Sequence, residues 1–303
     1  LVDCEPEVNR SRTLYVPYMS VKQKGNSDNE SANASMSVRT GRECFRALSM
    51  PEAVTLASGV YRVRASVPSR SKATADMVQT DEAFWTIFSF HFLSGEAFTK
   101  ADCDAGLTRA VLDATTARRL FGTTDAVGRT VQLDYVDYTV AGVVADVSML
   151  ATAAYAQIWV PYTAAGAEAM SWQNDTMGPM HAIILARSSA DFDAIREETE
   201  LLRKKYNDGL QDVEVFYRGQ PDTQLAYLYR RWYAESDVPG VMLRYAIVVI
   251  ILLLVPAVNL SGMTLSRMRR RMAEIGVRKA FGATGGELMR QVFFENLVLT
   301  LLA

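Results

Sequence analysis

Chemistry-bearing residues are scarce in this chain. Its 303 residues include two histidines, His91 and His181, and three cysteines, Cys4, Cys44 and Cys103. No CxxC pair occurs, which removes a zinc ribbon or a dithiol redox site. Three cysteines this far apart read best as small unpaired hydrophobes, with one disulfide as the open alternative. No GxxxxGK(S/T) occurs, so the chain carries no P-loop for nucleotide phosphates. GATGG at 282–286 supplies glycines without the lysine and hydroxyl that a phosphate cradle needs. GxSxG and HExxH are also absent, which removes two frequent hydrolase sites. Asp102, Asp104 and Asp113 come near calcium-loop spacing. However, Leu107 stands where such a loop needs glycine, and Gly106 has no side-chain oxygen. These acids read as a solvated turn, and His181 reads as structural. The sequence predicts no enzyme, no catalytic residue, no cofactor and no metal.

Charge is distributed unevenly. The net charge is only -2, yet from Arg267 to Ala303 there are seven Lys and Arg against three Asp and Glu. The preceding 266 residues hold 25 basic and 31 acidic side chains. Parts that differ this much often meet different surroundings. The basic part follows VMLRYAIVVIILLLVPAVNLSGMTL (241–265), which is apolar on all sides between Ala246 and Val258. As a helix those residues span about 37 Å, enough to cross a hydrocarbon core of about 30 Å. Arg244, near its start, can snorkel to the interface. Arg267, Arg269, Arg270 and Arg271 then end the span, since an arginine at mid-bilayer costs roughly 2.5–3.5 kcal/mol. The positive-inside rule places them in the cytoplasm and residues 1–238 on the other side. A basic segment abutting a membrane span, with an acidic remainder, does not suit nucleic acid. The chain begins without Met and stops in an apolar run, LVLTLLA, and so reads as a piece of a longer protein.

Charge alone would stop transfer, but this segment is also patterned. Ala273, Val277, Ala280 and Phe281 fall on one helical face, and Arg271, Glu274 and Arg278 on another. Gly282 is placed to end that helix. Thr284 with Glu287 forms a capping box for a second helix, which leads through Leu288, Val292 and Phe293 back into the bilayer. The segment 266–284 is therefore predicted as a short amphipathic helix between two spans, and 285–303 as the start of the second span.

RMRRRMAEIGVRKAFGATGGELMRQVFFENLVL (267–299) resembles the cytoplasmic turn of MacB/FtsX-type ABC transporter permeases. That turn reads R-x-x-E-I-G-(I/V)-R-(K/R)-A-x-G-A. Glu274, Ile275, Gly276, Val277, Arg278, Lys279, Ala280, Gly282 and Ala283 match, and Glu295 suits a later acid. The resemblance implies a coupling helix that contacts an ATPase subunit through Arg271, Glu274, Gly276, Arg278, Lys279 and Gly282. Upstream, DEAFWTIFSFHFLSGEAFTKAD (81–102), ARRLFG (117–122) and DAVGRTVQLDYVDYTVAGVVADV (125–147) resemble the periplasmic core of the same family.

The expected fold is α+β. Residues 1–238 would form a porter-like domain of two βαβ-like halves with a β-rich insert at 82–150, and 239–303 the permease region. In the first half, 13–18 and 60–67 read as strands, 41–48 as a helix and 25–35 as a polar loop. In the second, 181–186 and 213–217 read as strands. The helix between them would be capped by Asp191 and would carry Phe192, Ile195, Leu202 and Tyr206 inward. In the insert, 115–121 reads as a helix ended by Gly122, with strands at 130–133 and 138–144.

The resemblance implies a permease subunit in a bacterial inner membrane, with its large domain in the periplasm. It would couple ATP hydrolysis by a separate cytoplasmic ATPase to export or extraction of a substrate. It also implies a homo- or heterodimer of permeases and leaves a periplasmic adaptor open. The alternatives are an FtsX-like regulator of cell-wall hydrolases or a membrane-anchored sensor.

Overall fold

The computed structural model describes residues 5–25, 31–67, 72–230 and 236–302. It divides into two units, Leu1–Val238 and Pro239–Ala303. The strands of the first unit are β1 (Thr13–Val16), β2 (Met19–Gln23), β3 (Ala32–Ala34), β4 (Ala53–Ser58), β5 (Tyr61–Ser66), β6 (Lys72–Thr80), β7 (Phe92–Gly95), β8 (Arg109–Asp113), β9 (Thr130–Leu133), β10 (Val136–Val144), β11 (Ile158–Pro161), β12 (Met180–Leu185), β13 (Val213–Phe216) and β14 (Asp222–Thr223). Its helices are α1 (Val38–Gly41), α2 (Phe84–Ile87), α3 (Lys100–Asp104), α4 (Ala114–Phe121), α5 (Phe192–Gly209) and α6 (Gln224–Tyr229). The second unit contains α7 (Val238–Arg270), α8 (Met272–Ala280) and α9 (Gly285–Leu302).

Among the described residues, three sheets organise the first unit. One has the order β14-β1-β12-β4, and a second the order β13-β2-β3. The third closes on itself. β10-β8-β11-β6-β5-β9 forms a ring because β10 pairs with β9 through Val136–Thr139 and with β8 through Thr139–Val144. β7 adds to the far end of β10.

Period-two alternation sends successive side chains to opposite sides of each strand. Leu14 and Val16 of β1, with Ala182 and Ile184 of β12, face a core that includes Phe45, Ile195 and Tyr206. Tyr15, Ile183 and Leu185 face the other way, onto Val78, Val111 and Trp159 of the barrel's outer wall. Met77, Leu112, Ile158 and Val160 point into the barrel, where Leu120 and Phe121 of α4 join them. Strands buried on both faces read as unbroken apolar runs, as MHAIIL in β12 does.

The barrel takes strands from outside 82–150. β5, β6 and β11 belong to the same sheet as β8, β9 and β10. The stretch 60–67, expected in the first α/β half, is therefore a barrel stave. Pairing across the two halves is antiparallel, β1 and β4 flanking β12. The expected helix at 41–48 is the turn α1 continued by a π-helical segment, Arg42–Arg46. Part of the expected polar loop, Ala32–Ala34, pairs with β2, and 26–30 lie outside the described residues. The cap before α5 is Ser188: its backbone N–H donates to the Asp191 carboxylate at 3.0 Å, and its hydroxyl accepts from Ala190 N at 3.2 Å.

The acids with calcium-like spacing have structural roles. Asp102 completes a capping box with Thr99 at the start of α3, and Asp113 caps α4 by accepting from Thr116 N at 2.7 Å. Asp104 pairs with Lys100 at 2.7 Å. Cys44 and Cys103 are buried free thiols in different clusters. Cys4 lies outside the described residues.

Two glycines let β7 and β10 approach. Gly95 has φ +65, and a Cβ there would lie 2.2 Å from the Ala141 carbonyl oxygen. A Cβ on its register partner Gly142 would lie 2.6 Å from the Glu96 carbonyl. Gly95→Ala is expected to cost about 2–4 kcal/mol, combining left-handed strain with overpacking against backbone. Gly128 has φ +77 with open space around it, so Gly128→Ala isolates the strain and should cost about 1–2 kcal/mol. Denaturant unfolding of both variants checks this; equal losses would mean that the clash relaxes.

Candidate functional site

The site begins with what surrounds it. Val238–Met263 is a 26-residue helical stretch whose most apolar 18-residue window has a mean hydropathy of 2.7, with no residue of that window buried among the described residues. Leu252, Leu253, Leu254 and Val255 are consecutive, about 100° apart around the axis, and all exposed. An apolar surface on every side is the signature of a lipid-facing helix. The helix runs through Pro256 without a break. It then continues past the bilayer-length stretch to Arg270.

Arg271 leaves helical geometry, with φ -99 and ψ 11, and α8 begins after it. Three bonds close α8. Phe281 N donates to Val277 O, Gly282 N to Lys279 O at 3.2 Å, and Ala283 N to Arg278 O at 3.1 Å. The last two, with Gly282 at φ +93, form a Schellman motif. A side chain at that φ is costly, so glycine stands there for conformational reasons. Thr284 and Glu287 then cap α9: Thr284 N donates to the Glu287 carboxylate at 2.9 Å, and Glu287 N to the Thr284 hydroxyl at 3.4 Å.

Arg271, Glu274 and Arg278 are engaged within the turn and with α9. Arg278 reaches Glu274 at 2.7 Å and Gln291 of α9 at 2.7 Å. Arg271 reaches Glu295 at 2.9 Å, and Gln291 also donates to Glu295 at 3.0 Å. This chain of contacts braces α8 against α9. All of its members remain open to solvent, so screening by water keeps each pair weak.

The apolar side of the loop has no such cover. Phe281 is 89% exposed, and Val277 is exposed beside it. Val277, Phe281 and Leu288 wall a shallow groove between α8 and α9. Gly276 sits mid-helix with open space where a side chain would be. Glycine there costs the helix roughly 0.5–1 kcal/mol relative to alanine, and no neighbour among the described residues requires it. Sequence periodicity grouped Val277 with Phe281, but it could not show that this face is the uncovered one.

Elsewhere, His181 bonds Ser35 Oγ at 2.8 Å beside a small cavity also lined by Tyr15, Ser58, Tyr155 and Tyr227. Burial pushes its pKa down to about 4, so it is neutral at ordinary pH. That is a structural histidine rather than an acid–base group.

An α+β domain followed by a helix long and apolar enough to cross a bilayer, and by a capped, charged turn, has the make-up of a membrane protein. Residues 7–202 match the MacB-like periplasmic core domain, and residues 246–303 match the FtsX-like permease C-terminal region. The chain belongs to this MacB/FtsX-type permease family and is a membrane protein with a periplasmic domain. It is similar to the pyoverdine export ATP-binding/permease protein PvdT of Pseudomonas aeruginosa. The two are 28% identical over 220 residues, which is 72% of this chain and 31% of PvdT. It is also similar to the macrolide export ATP-binding/permease protein MacB of Chromobacterium violaceum, at 25% identity over 75% of this chain and 33% of that protein. The chain thus spans about a third of the length of these curated relatives. Among solved structures, the periplasmic region of MacB from Actinobacillus actinomycetemcomitans aligns with TM-score 0.46 and 17% identity, over 67% of this chain and 90% of that one. The extracellular domain of the ABC-type transporter YknZ from Gram-positive bacteria aligns with TM-score 0.45 and 16% identity, over 66% and 99%.

Proposed function

We propose that this chain is the transmembrane permease part of an ABC transporter in a bacterial inner membrane, handling its substrate on the periplasmic side. An ATP-binding partner docks on the segment 266–284. Its movement displaces α7, and the periplasmic domain follows because it is continuous with that helix. The chain itself carries no nucleotide chemistry. Arg271, Glu274 and Arg278 hold the loop in shape, Gly282 sets its reversal, and Lys279 lies among them near the exposed tip. Gly276 leaves room for a close-packed partner backbone. The observation that carries this reading is the uncovered apolar tip at Val277 and Phe281, beside a fixed, capped helix. A turn that served only to reverse the chain would not need an exposed aromatic ring.

Phe281→Cys tests docking directly. A bifunctional thiol–amine reagent should join it to the ATP-binding partner in membranes, with a lower yield when the nucleotide state changes. A second pair of variants tests topology. In a Cys4→Ser background, a membrane-impermeant maleimide applied to intact cells should label Asp208→Cys but not Gly285→Cys. Asp208 is exposed, whereas its neighbour Asn207 is buried and bonded twice to Val215. Labelling at 285 and not at 208, or no cross-link at 281, would refute the reading.

A further inference from the structure

The segment by which the chain leaves the periplasmic unit is fastened with unusual care. Arg230 and Asp222 are an ion pair with side chains only 2% and 3% exposed. Arg230 Nε and one terminal nitrogen donate to the two carboxylate oxygens, the latter at 2.6 Å. Its other terminal nitrogen donates to the Arg218 carbonyl at 3.2 Å. The guanidinium lies over the Tyr18 ring, 5.8 Å from its centroid. Asp222 belongs to β14, where it pairs with Tyr15 of β1. Tyr227 of α6 stacks on that same Tyr15, with ring centroids 4.7 Å apart and planes 16° apart. Ser236 Oγ donates back to the Ala226 carbonyl of α6 at 3.3 Å. Val238, where α7 begins, comes eight residues after Arg230.

Stability alone does not account for this pair. Two charges taken out of water recover little more than their desolvation cost, and apolar residues of similar volume often do as well or better. A two-pronged guanidinium–carboxylate contact does supply direction: both partners must lie in one plane at one angle. Burial raises the Asp222 pKa while Arg230 opposes that rise, as expected of a charge kept in place by its partner.

We propose that Arg230 and Asp222 are positioning residues for transmission, locking α6 to the edge of the β14-β1-β12-β4 sheet. Displacement arriving along the chain from α7 then moves the sheet instead of unravelling α6. This rests on the permease reading above, but its geometric part can be judged alone.

The test uses the full chain assembled with its ATP-binding partner, in a Cys4→Ser background. Spin labels are placed at Leu228→Cys on α6 and Leu201→Cys on α5, both exposed positions. The variant is the apolar double substitution Asp222→Leu with Arg230→Met, which keeps the site filled. Arg230→Lys, which keeps the charge but loses the fork, is the conservative comparison. The lock predicts a narrow distance distribution in the parent and one at least twice as broad in both variants. It also predicts partner-stimulated ATP turnover reduced at least about 5-fold in both variants, within the usual range of coupling energies. The melting temperature of the double variant should stay near the parent's. An unchanged distance distribution overturns the lock, and a broadened one with full stimulation overturns its role in transmission. If the parent itself shows no stimulated turnover, the permease reading fails while the distance measurement still decides the lock.

Discussion

Glu274→Lys is expected to reduce partner-stimulated ATP turnover by at least about tenfold, while membrane insertion and the fold of the loop survive. Magnitudes separate the two ways in which this residue could matter. Within the chain, Glu274 forms an exposed i,i+4 pair with Arg278. Losing such a pair costs only about 0.3–0.5 kcal/mol. A tenfold effect needs about 1.4 kcal/mol, so loss of the brace is too small to produce it. At an interface, a mismatched charge costs several kcal/mol. The substitution would also leave α8 with no acid at all, its new lysine joining Arg278, Lys279 and the preceding Arg271. The charge-exchanged pair Glu274→Arg with Arg278→Glu completes the test, because it keeps the intrachain ion pair and reverses its outward polarity. Its turnover is expected to stay low. Full stimulation and full partner co-purification in both variants would show that the segment only anchors the turn.

Arg46→Ala is expected to cost the periplasmic domain about 3–5 kcal/mol at pH 7.5, because it strands a buried carboxylate. Asp81 follows β6 and is 1% exposed. It accepts from Arg46 at 2.9 Å, Thr55 Oγ1 at 2.6 Å, and the backbone N–H groups of Leu56 and Ala83 at 3.1 Å each. Arg46 also reaches Glu82 at 2.9 Å and the Val54 carbonyl at 3.1 Å. The cluster thus joins the Arg42–Arg46 segment and β4 to the end of a barrel strand.

Burial outweighs the donors and raises the Asp81 carboxyl from 3.8 to about 6. A carboxyl raised in the folded state contributes stability that is present below its ordinary pKa and lost as pH rises through about 6. Without Arg46 that pKa rises further, so the deficit of Arg46→Ala should shrink as pH falls from 7.5 towards 5. Adding Asp81→Asn should recover most of the loss at pH 7.5. Denaturant unfolding at both pH values decides the matter. An equal deficit at each would mean that Arg46 acts through packing rather than charge.

Part of the second unit is legible in the local sequence. The apolar run, the glycine that ends α8 and the Thr284–Glu287 cap all depend on residues within a few positions of one another. Hydrophobic periodicity, burial of charge and left-handed φ act at that range. The same locality made strands at 130–133 and 181–186 and the Gly122 helix terminus readable within about a residue. It also misassigned 60–67, whose alternation is equally consistent with either sheet.

The sequence by itself therefore determined which long segment is apolar enough to avoid water and how α8 ends and α9 begins. Only the tertiary structure decided that the insert is a closed ring drawing on β5, β6 and β11. β5 meets β9 through just Ala65 with Leu133 and Ser66 with Gln132. Contacts so few and so distant in sequence leave no local pattern, since their gain depends on the whole ring having closed. The same holds for the choice of ion partners. Arg46 with Asp81, and Arg230 with Asp222, are among many charges in the chain, and only the fold brings these partners together. The direction in which α8 turns its faces is likewise set by Gln291 and Glu295, which lie beyond the Gly282 reversal on the following helix.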